Sequence, residues 1–196
     1  MITENIDTII FDFGGVLINI DYHRTIDAFK ELGIDDFEKR YSQADQSSLF
    51  SDLEVGKISA QRFINDLLPL LPKGTSPNQV VRAWNAMLLD VPTSAVEVLK
   101  SLQGKYRLFL LSNTNEIHLP RALVEWKKTS NLEFYDCFEH VYLSHEMGLR
   151  KPDEAIFSRV CSEQNIRPEN ALFIDDSVQH LVGASKIGLN TFHLTS

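Results

Sequence analysis

Apolar and polar positions along the chain fall into two regimes. A short run, Ile6 to Phe11, reads as a buried strand and ends at Asp12-Phe13-Gly14-Gly15. Its apolar and β-branched content fits a strand covered on both faces. From there to about residue 89 the spacing is helical. Tyr22, Ile26, Phe29 and Leu32 recur at near-helical period over Asp21–Leu32, and Gly33 ends the run. Asp35–Tyr41 and Ser47–Leu53 predict two further helices, the latter stopped by Gly56. Ser59 is placed to cap Ala60–Leu68, and Ser76-Pro77 opens a helix over Pro77–Leu89. The regime then changes. Helices predicted from a Thr93 or Ser94 cap to Gln103 and over Pro120–Trp126, Asp153–Gln164 and Val178–Ile187 alternate with strands over Arg107–Leu111, Val141–Leu143, Ala171–Ile174 and Asn190–His193. This alternation predicts an α/β fold: a doubly wound, Rossmann-like parallel sheet, interrupted after its first strand by a small inserted helical domain. The boundaries are 1–18 with 90–196 for the core and 19–89 for the insertion.

Totals narrow the picture without specifying chemistry. A chain of 196 residues suffices for one core plus a small accessory unit. The net charge of −8 argues against nucleic acid or an anionic membrane as partner. No stretch approaches a membrane span, and Glu4 and Asp7 replace the basic start of a signal peptide. Cys137 and Cys161 form neither a disulfide framework nor a zinc pattern. The expectation is a reduced, cytoplasmic setting, with a monomer or homodimer as the default.

The predicted strand ends carry the candidate chemistry. The first ends in Asp12, the second in Ser112-Asn113-Thr114-Asn115, and the fourth in Asp175-Asp176; Arg150-Lys151-Pro152 follows the third. A parallel sheet brings these ends to one edge. Singly they read as turns, helix entries and helix starts. Together they offer carboxylates that repel unless a cation sits among them, and oxygen ligands suit Mg²⁺. A lysine and a hydroxyl beside such an ion suit a phosphate dianion. A carboxylate facing both could attack phosphorus.

The set resembles the haloacid dehalogenase-like hydrolase superfamily. Its four motifs occur in order: Ile9-Ile10-Phe11-Asp12-Phe13-Gly14-Gly15-Val16-Leu17, Leu111-Ser112-Asn113, Lys151-Pro152 and Phe173-Ile174-Asp175-Asp176-Ser177. The insertion lies where that family places its type 1 cap. Leu111-Ser112-Asn113-Thr114-Asn115 and the run from Tyr142 to Pro152 are similar to bacterial α-D-glucose-1-phosphate phosphatases and to the phosphatase domain of soluble epoxide hydrolases. The resemblance implies a Mg²⁺-dependent phosphomonoesterase that hydrolyses a small phosphorylated metabolite, a sugar phosphate, through an aspartyl phosphate. It implies Asp12 as nucleophile and Lys151 as its catalytic partner. Ser112, Asn113, Lys151 and Gly15 would hold the phosphate. Asp12, the Gly14 backbone carbonyl, Asp175 and Asp176 would hold the metal.

Two positions depart from the family pattern. A second aspartate, acting as general acid and base, usually stands two residues after the nucleophile; here that residue is Gly14. Such help contributes roughly 10²–10⁴-fold. Either the leaving group needs little protonation, as at an anomeric oxygen or in an acyl phosphate, or His180, Asp21 or His23 substitutes, or turnover is slight. Glycine at this place in the glucose-1-phosphatase relatives favours the first. Five residues after Asp175, where Asn or Asp is usual, stands His180. It reads either as a helix-surface residue or as a relocated acid or base. A non-catalytic phosphate-binding protein is the alternative from another class. A 2-haloacid dehalogenase is disfavoured because it needs no adjacent metal-binding carboxylates, and a phosphotransferase because it depends on the missing aspartate. Of Tyr22, Arg24, Phe50, Arg62, Trp84 and Asn85 in the insertion, none is singled out for substrate. His118, His140 and His145 lack metal-ligand spacing and read as structural or exposed.

Overall fold

Strand β1, Thr8–Phe11, is the centre of the sheet. It pairs in parallel with β2 (Arg107–Ser112) from Thr8↔Arg107 to Phe11↔Leu110, and with β4 (Ala171–Asp175) from Thr8↔Ala171 to Phe11↔Ile174. Strands β3 (His140–Leu143) and β5 (Asn190–His193) complete the parallel order β3-β2-β1-β4-β5. The computed structural model describes residues 5–34, 37 and 48–195.

The period of two along the strands explains the layering. Ile10, Phe109, Leu111 and Phe173 bury against Ile156, Phe157 and Val160 of one helix and Leu181 and Ala184 of another. Ile9, Phe11, Leu108 and Leu110 face the other way, into a cluster that runs through Trp126 and on to Phe29, Phe63 and Trp84. Helices therefore cover both sheet faces, as a parallel sheet requires. Phe109 and Phe173 are fully buried; truncating either to alanine would cost about 3–5 kcal/mol.

Helices α1 (Tyr22–Glu31), α2 (Ser48–Glu54), α3 (Ala60–Leu67) and α4 (Pro77–Trp84) lie between β1 and β2. The expected Asp35–Tyr41 helix lies outside the described residues, apart from Phe37, whose ring stacks on Phe29 at 4.0 Å. The segment enters and leaves through paired backbone: Asn19 N–H donates to Asp90 O, Leu89 N–H to Asn19 O and Asp21 N–H to Met87 O. Ser59 caps α3 through the Arg62 N–H, and Ser76 with Gln79 forms a capping box at α4.

The remaining helices are α5 (Thr93–Leu102), α6 (His118–Thr129), α7 (Ser144–Met147), α8 (Glu154–Glu163) and α9 (Val178–Lys186). Three differ from expectation. Helix α4 stops at Trp84 and tightens into a 3-10 turn, Asn85–Met87, before the returning linker. Pro92, not Thr93 or Ser94, occupies the N-cap position of α5. Helix α6 starts at His118 rather than Pro120, because Asn115 Oδ1 accepts both the Ile117 and His118 N–H groups at 3.0 Å. Among the described residues no helix is long and apolar enough to cross a membrane.

Candidate active site

The carboxyl ends of β1, β2 and β4 open onto a cavity of about 720 Å³. Its floor includes Asp12, Gly14, Ser112, Asn113 and Asp176; Tyr22, Ser51, Glu54 and Met87 of the helical segment roof it. Asp12 directly follows β1, and its N–H continues the ladder by donating to Ile174 O at 2.9 Å.

The buried centre of the site is Lys151, fully enclosed. Its ammonium lies 2.8 Å from Asp12 Oδ1 and 2.7 Å from Asp175 Oδ2. Burial works to discharge this lysine, but the two carboxylates outweigh it and its pKa is raised. Burial likewise pushes the Asp12 carboxyl up to about 7 against the pull of Lys151. Asp175 feels the same burial, yet Lys151 and His180 hold it well below the usual carboxylate range. One cation thus serves two carboxylates.

The two ends of Asp12 differ. Oδ1 accepts from Lys151 and from the Phe13 N–H at 2.7 Å. Oδ2 carries no hydrogen bond among the described residues. A fixed carboxylate that lines the cavity therefore keeps one oxygen free.

Asp175 and Asp176 are not equivalent. Asp175 Oδ1 accepts from the Ser177 N–H at 2.8 Å, and His180 Nδ1 lies 3.0 Å from both its oxygens. With Lys151 on Oδ2, its acceptor positions are occupied. Asp176 instead lines the cavity; burial and the charge of Asp175 raise its pKa. Its carboxylate lies where a Cβ on Gly15 would stand, so a side chain at position 15 would displace it. Gly15 also has φ +71°, in the left-handed region.

The donor set fits a hard divalent cation. Asp12, Asp175 and Asp176 face a single lysine, leaving negative charge in surplus at the floor, and all the donors are oxygen. Asp12, Asp175 and His180 also each present an atom within 4.8 Å of one another, but His180 offers a nitrogen that is already bonded to Asp175. Because the oxygens of Asp175 are already bonded, Asp12 and Asp176 are the carboxylates free for such an ion.

Other expected residues fall into place unevenly. Ser112 is buried and borders the cavity. The Asn113 side chain is spent on the backbone of Lys151, donating to its carbonyl at 3.0 Å and accepting its N–H at 2.9 Å. It clamps the lysine, and its main-chain N–H and the second hydrogen of its amide are left for an anion. The Gly15 N–H, expected at the phosphate, donates instead to Ile18 O at 2.8 Å. Asp21 and His23 are not brought to the cavity. Asp21 caps α1 by accepting the His23 N–H, and the His23 side chain is exposed. His180 does line the cavity; burial lowers its pKa, so its neutral ring donates through Nδ1 to Asp175.

Three features escape sequence reasoning. The Ile20 side chain fills the place where a Cβ on Gly14 would project. Ile20 lies on the linker into the helical segment, paired with Leu88. Glu54 and Arg150 form an ion pair at 3.1 Å on the cavity wall, joining α2 to the residue before Lys151. Ser144 strengthens that junction, donating to Glu54 O at 2.6 Å and accepting the Thr114 N–H at 3.0 Å. His118, read from sequence as structural or exposed, forms part of the cavity wall. Of the insertion residues weighed earlier, Tyr22 lines the cavity, Phe50 and Trp84 are core, and Arg62 pairs with Asp66 outside it.

A family profile for haloacid dehalogenase-like hydrolases matches residues 6–188. D-ribitol-5-phosphate phosphatase from Bacteroides thetaiotaomicron is 30% identical over 187 residues, covering 95% of this chain and 91% of the relative. A solved HAD family enzyme from the same organism, an Asp-to-Ala mutant in complex with magnesium and inorganic phosphate, superposes with a TM-score of 0.91. It is 34% identical, over 97% of this chain and 94% of its own. A HAD-like family hydrolase from Porphyromonas gingivalis gives a TM-score of 0.87 at 34% identity, over 96% and 91%.

Proposed function

The chain belongs to the haloacid dehalogenase-like hydrolases, and from that premise we propose that it is a Mg²⁺-dependent phosphatase of a small sugar or polyol phosphate, acting through an aspartyl phosphate on Asp12. The observation that supports this most is the asymmetry of Asp12, which lines the cavity: Oδ1 is fixed by Lys151 and Phe13, and Oδ2 carries no hydrogen bond among the described residues. In this reading Oδ2 attacks phosphorus, the phosphorus–oxygen bond to the leaving group breaks, and the carboxylate carries the phosphoryl group. Water then attacks the phosphorus, releasing phosphate and restoring Asp12. The Ser112 hydroxyl and the Asn113 main chain hold phosphoryl oxygens. Lys151 holds Asp12 in line and limits the charge it meets.

Asp12, Asp176 and the Gly14 carbonyl would hold Mg²⁺, with Asp175 fixing Lys151 and His180 beside them. When bound, the ion supplies Lewis-acid charge that offsets repulsion between the attacking carboxylate and the phosphate. The helical segment acts as the family's cap and sets which leaving groups enter.

Position 14 contributes no proton: it is glycine, and Ile20 covers it. That favours esters whose leaving oxygen carries charge readily, such as an anomeric oxygen. Likeness to the D-ribitol-5-phosphate phosphatase favours a polyol phosphate. One panel decides. With Mg²⁺, the wild type should hydrolyse p-nitrophenyl phosphate and at least one of a sugar 1-phosphate and D-ribitol 5-phosphate, and EDTA or Asp12→Asn should abolish this. A wild type no more active than Asp12→Asn across the panel would leave a phosphate-binding protein as the better reading.

A further inference from the structure

One polar group on the cavity wall is oriented with more care than packing requires. The His118 imidazole lies flat on the Trp84 indole, centroids 4.8 Å apart and planes at 13°. Trp84 is fully buried, and its carbonyl accepts the Thr25 hydroxyl at 3.0 Å. His118 Nδ1 is 2.9 Å from Asn85 Oδ1. At the other side Asn115 fixes the start of α6 and with it the His118 backbone. The ring is thus held from two elements, one on each side of the seam between sheet and helical segment.

This arrangement decides which nitrogen carries the proton. An amide oxygen only accepts, so Nδ1 must donate. Burial disfavours the charged ring and pushes its pKa down to about 3. Nε2 is therefore a bare lone pair. It has no partner among the described residues, and it is not one of the sealed, unsatisfied polar atoms of the interior. The residue shares the cavity wall with Asp12.

A neutral acceptor repels phosphoryl and carboxylate oxygens and pairs only with a donor. The cavity is also far larger than a phosphate needs, leaving room for a carbon chain. We propose that His118 Nε2 accepts a hydrogen bond from a hydroxyl on the carbon chain of the substrate, selecting polyhydroxylated phosphate esters over esters without hydroxyls. This rests on the phosphatase reading above and assigns His118 as its specificity residue. A site built around a hydroxyl donor discriminates strongly, because the unfilled acceptor is left desolvated when the hydroxyl is missing.

The test compares kcat/KM for a polyol or sugar phosphate with kcat/KM for phenyl phosphate, in the full-length protein with Mg²⁺. In His118→Phe the aromatic stack on Trp84 is kept and the acceptor lost; the ratio should fall about 10-fold or more. His118→Gln returns an acceptor without the ring and should recover part of the ratio. Asn85→Ala frees the ring to turn and should lower the ratio less than His118→Phe does. A ratio unchanged in both His118 variants overturns the proposal, as does an equal loss on both substrates, which would mark a merely structural residue. A wild type inactive on every ester removes the phosphatase reading and this assignment with it, whereas an active wild type that does not discriminate removes the assignment alone.

Discussion

Replacing Lys151 by methionine tests the electrostatic account of the site most directly. The side chain is fully buried and within 2.8 Å of both Asp12 and Asp175. Methionine keeps the stem and removes the charge. Two buried carboxylates would then face each other without a compensating cation. Breaking such a pair costs about 3–5 kcal/mol, mostly the penalty of the charge left behind. At about 2–4 °C per kcal/mol for a chain of this length, the melting temperature should fall roughly 6–20 °C at pH 8 in EDTA. The loss must depend on pH with a definite sign. The Asp12 pKa is already raised in the wild type, and removing Lys151 raises it further. Lowering the pH protonates the stranded carboxylates and neutralises the source of the strain, so the deficit of the variant should shrink between pH 8 and pH 5. Thermal melts of both proteins across that range decide it. A drop under about 3 °C at pH 8, or a deficit that grows on acidification, would refute the claim that one cation holds both carboxylates.

Three further outcomes follow from the same geometry. Gly14→Asp must push aside the terminal methyl of Ile20, and Gly14→Asp with Ile20→Ala should exceed the single variant by about 10-fold on an alkyl phosphate, part of the 10²–10⁴ that general acid help supplies; a double variant no better than the single would show that Ile20 is not the obstacle. In EDTA the folded Asp12 titrates at about 7 against an ordinary value near 3.9, so the native state binds the extra proton between those values and stability should fall as pH rises through that window. Asp12→Asn should flatten that slope, and added Mg²⁺ should raise the melting temperature more at pH 8 than at pH 5. Ser144→Ala removes a fully buried hydroxyl bonded to Glu54 O, Thr114 O and Thr114 N–H; it should cost about 1–3 kcal/mol and speed hydrogen exchange in α2 relative to the sheet, and an unchanged exchange pattern would mean that the latch is immaterial.

The sheet and its reactive edge were legible because burial on both faces forces apolar runs, and a polar residue ending such a run stands out. Asp12, Ser112 and Asp175 were visible for that reason. What stayed hidden depends on which way side chains turn at the sheet edge. Nothing in the pair Asp175-Asp176 says that the first points inward to Lys151 and the second toward the cavity. A lysine ordinarily marks surface, so the full burial of Lys151 was unreadable until two carboxylates were seen around it. Asp21 and His23 neighbour the first motif in sequence, but the start of α1 turns them away. The contact of Ile20 with Gly14, and of His118 with Trp84 and Asn85, joins residues whose partners are set by how the helical segment returns to the sheet. Periodicity along the chain carries no record of that docking.

Arg150 and Lys151 are consecutive, yet one reaches Glu54 on the helical segment and the other the carboxylates under the sheet edge. A shift of one residue in this stretch would send the lysine to the roof or, in the other direction, the arginine to the centre, and either way one of the two charges would lose its partner. The stretch therefore works as a ruler: its reading frame fixes how far α2 stands from Asp12. Walls above that ruler can be repainted with other side chains, and the distance stays the same.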